Sequence, residues 1–126
     1  MMELNDLTFK IRGAIFTVFN ELGPGLLESV YETTLAHELL HLGLKVSTQV
    51  PLPVIYKDIK LEIGFRIDIL VENQVIIEIK SVETLHDVHK KQLLTYLRLS
   101  NKKLGILVNF NSSRLIDKES IIRIIN

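Results

Sequence analysis

Between Leu4 and Leu22 the apolar residues Leu4, Leu7, Ile11, Ile15, Val18 and Leu22 recur at steps of three and four, the period of a helix with one buried stripe. Asn5 or Asp6 can cap its start. Gly23-Pro24-Gly25 ends it, because glycine accepts the left-handed terminal turn and proline cannot extend the hydrogen-bond ladder. The spacing predicts a second helix from about Leu26 to Leu42, stopping at Gly43, with Leu27, Val30, Tyr31, Leu35, Leu39 and Leu42 on its buried side. Glu28 and Glu32 lie one turn apart on a shared face of that helix.

From Leu44 the period shortens to two. Lys45–Val50 reads as a strand, and Pro51 and Pro53 place an edge or a bend after it. Val54-Ile55-Tyr56 and Leu61-Glu62-Ile63 flank a turn at Lys57-Asp58. Phe65–Val71 and Val75–Lys80 form a hairpin around Glu72-Asn73-Gln74. Thr84-Leu85-His86-Asp87 resembles a capping box, ahead of a helix that runs to about Leu99 with Val88, Leu93, Leu94 and Leu97 apolar. Leu104–Phe110 is nearly continuous apolar sequence, as expected of a strand covered on both faces, and Ile121–Ile125 reads as a last short strand. The order α-α-β-β-β-β-α-β, with that short strand after it, describes one mixed β-sheet flanked by helices, of α/β (α+β) class. The 126 residues fit a single domain over 1–126.

The hairpin carries the chemistry. Phe65, Ile67, Ile69 and Val71 are expected on one face of the first strand, and Arg66, Asp68 and Leu70 on the other. Both apolar sets of the hairpin reach one core only if odd residues oppose odd ones, which requires an odd loop with Val71 opposite Val75. Asp68 then faces Glu78, with Lys80 two residues further along the same face. Like charges directly opposite each other repel, and a hard divalent cation between them turns repulsion into attraction. A solvated polar face with a cross-strand salt bridge uses the same residues.

Composition narrows the options. Lys+Arg and Asp+Glu are both 15, so the net charge is zero, which argues against non-specific coating of duplex DNA but not against a small nucleic-acid site. The absence of Cys removes disulfides, thiol nucleophiles and thiolate metal sites. With no Trp and 6% aromatics, stacking platforms for single strands are sparse. Charges interrupt every apolar stretch, so no membrane span is expected. The first six residues lack the features of a signal peptide, so the expected location is cytoplasmic.

Asp68, nine residues, then Glu78-x-Lys80 resembles the PD-(D/E)xK nuclease signature, with Ile67 at the proline position of that name. Gly25-Leu26-Leu27-Glu28-Ser29-Val30-Tyr31 matches the motif of the GxxExxY family. Leu22-Gly23-Pro24, Gly64-Phe65-Arg66-Ile67-Asp68, Gln92-Leu93-Leu94-Thr95-Tyr96-Leu97 and Gly105–Phe110 are similar to the same family, in order along nearly the whole chain. The resemblance implies a restriction-endonuclease-like core close to RecB-like nuclease domains. It further implies Asp68 and Glu78 as ligands of Mg²⁺ or Mn²⁺, Lys80 as the catalytic lysine, and Glu28 as a third acid completing the catalytic and metal site. Gln92 and Tyr96 match the QxxxY element and would touch substrate, a nucleic acid. The implied activity is metal-dependent phosphodiester hydrolysis.

Other residues have plainer readings. Glu28 at a helix start also complements the helix dipole, Tyr31 suits packing with a bonded hydroxyl, and Tyr96 can serve as core. His37, His41, His86 and His89 make no zinc pattern and read as surface residues, although His89, one turn before Gln92, borders the expected site. Lys90, Lys91, Arg98, Lys102 and Lys103 form the most basic stretch, suited to a phosphate backbone or to a solvated helix face. Small size and zero charge also suit a non-catalytic nucleic-acid or protein interaction module, a homodimer or a subunit of a larger complex. A small-molecule phosphodiesterase could use the same trio.

Overall fold

The structure is a computed structural model that describes residues 2–126. Helices α1 (Leu4–Leu22) and α2 (Glu28–His41) come first. Strands β1 (Val46–Pro51), β2 (Val54–Tyr56), β3 (Ile59–Leu61), β4 (Arg66–Val71) and β5 (Val75–Lys80) follow. Helix α3 (Asp87–Ser100) then leads to β6 (Leu104–Asn109) and β7 (Ile121–Ile125). The class is α+β as expected, with a five-stranded mixed sheet ordered β1-β4-β5-β6-β7, although five strands rather than the expected four separate α2 from α3. Among the described residues its strands β5 and β6 pair in parallel, joined through α3; the other neighbouring strands run antiparallel.

Two apolar layers hold the sheet. Leu7, Ile11 and Ile15 of α1 and Tyr31, Leu35 and Leu39 of α2 pack on Ile69, Val71, Ile77, Ile79, Ile106 and Val108. Leu93, Tyr96 and Leu97 of α3 pack on the other face against Ile67, Ile76 and Leu107. Burying one such aliphatic side chain contributes roughly 1.5–3 kcal/mol, so the two layers account for most of the driving force. Every residue of β6 is buried, as its continuous apolar sequence predicts. Tyr31 stacks on Phe110 with ring centroids 4.3 Å apart, tying α2 to the end of β6.

Several expectations need correction. The segment 54–63 is not part of the main sheet: β2 and β3 form a separate two-stranded ribbon. Pro51 and Pro53 on one side and Gly64 on the other, with φ of 85°, let β1 pair with β4 directly and leave the ribbon outside. Helix α1 starts at Leu4, ahead of Asn5 and Asp6, with Glu3 in the cap position. Leu26 and Leu27 lie before α2, Leu27 in extended backbone, and Leu27, Val30 and Leu42 are exposed. Helix α3 begins at Asp87 rather than after Thr84. Its start is set by His86, whose N–H donates to His89 Nδ1 at 3.0 Å. Finally, Phe65 and Ile67 do not share a face with Ile69 and Val71. They join Leu70 under α3, so strand alternation breaks at Asp68.

Candidate active site

The hairpin geometry that governs the site is present. Glu72, Asn73 and Gln74 form a three-residue turn, with Glu72 and Asn73 at φ of 52° and 53°. Val71 opposes Val75, and the ladder runs through Leu70↔Ile76 to Ile69↔Ile77. One step further, where Asp68 faces Glu78, side chains replace the backbone ladder. Asp68 N–H donates to Glu78 Oε1 at 3.2 Å, and Ile79 N–H donates to Asp68 Oδ2 at 2.9 Å. Each carboxyl group thus spends one oxygen on an amide of the opposite strand and keeps the other for a proton or a cation.

Burial and proximity decide the charge state of this pair. Glu78 is 5% exposed. Burial first, and the Asp68 carboxylate second, push its pKa from 4.5 to about 8. Burial also raises the Asp68 pKa, against the Ile79 amide bond and the Lys80 charge, which lower it. Both shifts work against ionising the two carboxyls together.

Lys80, half-buried at the end of β5, lies close enough to favour ionisation of both acids. It makes no salt bridge with either: the ion pairs among the described residues are Arg12–Asp117, Lys60–Glu62 and Lys90–Asp87. The cross-strand salt bridge is therefore not what holds the trio together. The segment after Lys80 is fixed by Asn109, buried at the end of β6. Its side chain accepts from Val82 N–H at 3.1 Å and donates to Val82 C=O at 2.9 Å.

The residues of the GxxExxY pattern form one local device. Gly25 turns the chain at φ of 93°. The Tyr31 hydroxyl, one turn into α2, donates to Gly23 C=O at 2.6 Å and accepts from Leu26 N–H at 3.1 Å. That tie sets the start of α2 and places Glu28 as its first residue. The Glu28 carboxylate accepts from Ser81 N–H at 3.1 Å, and Ser81 Oγ donates to Leu26 C=O at 2.6 Å. Glu28 is thus clamped to the residue after Lys80, exposed, and near enough to raise the Asp68 pKa. Among the described residues no three His, Asp or Glu side chains converge on one metal-sized point; the close pair is Asp68 and Glu78, with Glu28 beside it. Two carboxylates suffice for Mg²⁺, which keeps several of its waters, so the donor set fits such an ion.

Helix α3 contributes a polar row. Gln92 Nε2 donates to the Tyr96 hydroxyl at 3.0 Å. Tyr96 is 5% exposed, its ring lies 5.7 Å from that of Phe65, and burial together with the Glu78 and Asp68 charges raises its pKa. It is both core and site wall. Burial first, and the Lys80 charge second, lower the pKa of His89, three residues before Gln92.

A family model of the PD-(D/E)XK nuclease superfamily matches residues 5–124. The chain belongs to the PD-(D/E)XK nuclease superfamily. No curated protein and no solved structure matched it. The superfamily assignment agrees with the mixed sheet flanked by helices and implies an interaction with nucleic acid. Superfamily nucleases generally depend on a divalent metal. No helix among the described residues is long and apolar enough to cross a membrane.

Sequence reasoning missed three contributors to this candidate site. Ser81 and Asn109 act through hydrogen bonds to and around the end of β5, and nothing in their spacing announces that. Glu32 was seen to share a face with Glu28, but its partner Gln49 lies on a strand, and no local pattern links the two.

Proposed function

We propose that this chain is a nuclease that hydrolyses phosphodiester bonds with Mg²⁺ or Mn²⁺, its site built from Asp68, Glu78, Lys80 and Glu28. The observation that carries the reading is the facing pair of the buried Glu78 and half-buried Asp68 carboxyls, each tied to an amide of the opposite strand, with a lysine free of any salt bridge at its side. A purely structural face has no use for a buried like-charge pair, whereas a cation turns the repulsion into binding energy. Within the superfamily, the Gly25–Tyr31 device supports membership of the GxxExxY family. Residues 1–126 are read as one domain, and a cytoplasmic location suits the composition.

A divalent ion held by Asp68 and Glu78 would supply an acidified water and charge relief at the phosphate. The chain's own residues do the rest. Asp68 and Glu78 present oxygens fixed by the Ile79 and Asp68 amides. The Lys80 ammonium, free of a salt bridge, can orient the attacking water and stabilise charge on the phosphate. Lys80 cannot ligate the ion itself, since an ammonium has no lone pair. Gln92 and Tyr96 offer an uncharged amide and phenol to a phosphate or base, and Glu28 closes the side of the site nearest Ser81.

The test is cleavage of a panel of single- and double-stranded DNA and RNA in Mg²⁺, Mn²⁺ or EDTA, with melting curves alongside. Cleavage of at least one substrate in metal and none in EDTA is expected. Each metal should also raise the melting temperature by preferential binding to the native state. Asp68→Asn should abolish that rise while leaving the apo protein folded, because the amide oxygen can still accept from Ile79 N–H. No cleavage with either metal, together with partner binding unaffected by EDTA, would instead establish a non-catalytic interaction module.

A further inference from the structure

Strand β1 changes face at Gln49. Val46 packs with the layer under α1 and α2, whereas Val50 packs with the layer under α3, although both are even-numbered residues of one strand. Ile69 and Ile67 of β4 part company in the same way. The backbone bonds agree. Glu72 N–H donates to Lys45 C=O at 2.8 Å and Leu52 N–H to Phe65 C=O at 2.8 Å, and these belong to ladders of opposite phase, since antiparallel strands bond through every second residue. Pairing continues on both sides, with Thr48↔Ile69 and Val50↔Ile67, so Gln49 stands opposite Asp68 where the phase switches.

Gln49 makes the switch by adopting a left-handed backbone, φ 51°, which a residue with a Cβ adopts only at a cost. In an unbroken ladder of the Lys45–Glu72 phase, Asp68 N–H would bond Gln49 C=O. Here it bonds Glu78 Oε1 at 3.2 Å instead, and Gln49 C=O takes the Arg66 guanidinium at 3.4 Å. The Gln49 side chain is held from the other direction: its Nε2 donates to Glu32 Oε1 at 2.6 Å. Glu32 is half-buried on α2, one turn after Glu28.

The geometry points to Glu32 and Gln49 as a positioning pair. Glu32 anchors Gln49 in its left-handed turn, and that turn keeps Asp68 out of the β1 ladder so that its amide serves Glu78 and its carboxyl meets the Glu78 carboxyl. This assignment rests on Asp68 and Glu78 being the site. A metal-free readout separates the two claims.

That readout is hydrogen exchange of the Asp68 and Ile79 amides in EDTA. Gln49→Gly keeps the left-handed turn accessible but removes the tie, and Glu32→Ala removes its anchor. Each should speed exchange at Asp68 and Ile79 about tenfold, the effect of losing one net hydrogen bond, with no change at Val71 and Val75. Glu32→Gln, whose amide oxygen still accepts from Gln49, should restore protection. Mn²⁺ affinity should fall in Gln49→Gly and Glu32→Ala and return in Glu32→Gln. Unchanged exchange at Asp68 and Ile79 in Gln49→Gly would overturn the pairing, as would Glu32→Gln behaving like Glu32→Ala. A wild-type protein that binds no Mn²⁺ would overturn the metal site instead, while the exchange rates still decide the positioning role.

Discussion

Glu78→Gln should make the metal-free protein more stable, and increasingly so as pH rises. The Glu78 carboxyl has a pKa of about 8 in the native state against an ordinary 4.5. Between those values the native state binds more protons than the unfolded chain, so stability falls with rising pH. The loss is complete once pH passes the native value. At roughly 1 kcal/mol or a little more per pH unit, the interval corresponds to on the order of 5 kcal/mol, an upper figure because Asp68 takes part of the shared titration. Glutamine keeps the Oε1 acceptor for Asp68 N–H and has no proton to lose. Urea unfolding in EDTA at pH 5, 7 and 9, followed by circular dichroism, would measure the difference. Wild type and Glu78→Gln should have similar midpoints at pH 5, with the variant ahead by several kcal/mol at pH 9 and the slopes with urea unchanged. Parallel pH profiles for the two proteins would show that Glu78 ionises normally and that no buried proton is shared.

Two further substitutions test how the fold supports the site. Gly105→Ala in β6 would bring a Cβ to 2.8 Å from Leu93 Cδ1 under α3; overpacking of this kind costs about 1–3 kcal/mol, read as a melting temperature lower by several degrees, and an unchanged value would show that α3 yields freely. Tyr31→Phe deletes the hydroxyl that ties Gly23 and Leu26. It should cost about 1–3 kcal/mol in denaturant unfolding and speed exchange of the Leu26 amide, whereas an unchanged midpoint would reduce Tyr31 to its ring stack on Phe110.

What was legible in the sequence follows from how local the determining forces are. Helix positions, the odd hairpin loop and the Asp68–Glu78 opposition follow from periodicity and from the need to bury Val71, Val75, Ile77 and Ile79 together. The covered strand β6 could be read from its unbroken apolar run. The detached β2–β3 ribbon was not legible, because its apolar residues suggest burial that the flanking prolines and Gly64 prevent; Ile55 and Ile59 remain mostly exposed. The break of alternation at Asp68 was hidden for a related reason. It depends on Gln49, a residue without strong left-handed preference, held there by a helix seventeen residues earlier. The Glu28 motif was visible, but its clamp on Ser81 required the end of β5 and the start of α2 to be placed in space.

The central claim is that Asp68 and Glu78 hold the ion while Lys80 serves the transition state. It is tested most directly by measuring Mn²⁺ binding and cleavage side by side in wild type and Lys80→Ala, on whichever substrate the wild type cuts. Binding should be retained, and cleavage should fall by a factor of about 10²–10³ or more, the usual consequence of removing one transition-state contact of this kind. Cleavage by Lys80→Ala at the wild-type rate with Mn²⁺ bound, or loss of Mn²⁺ binding in step with cleavage, would contradict the division of labour.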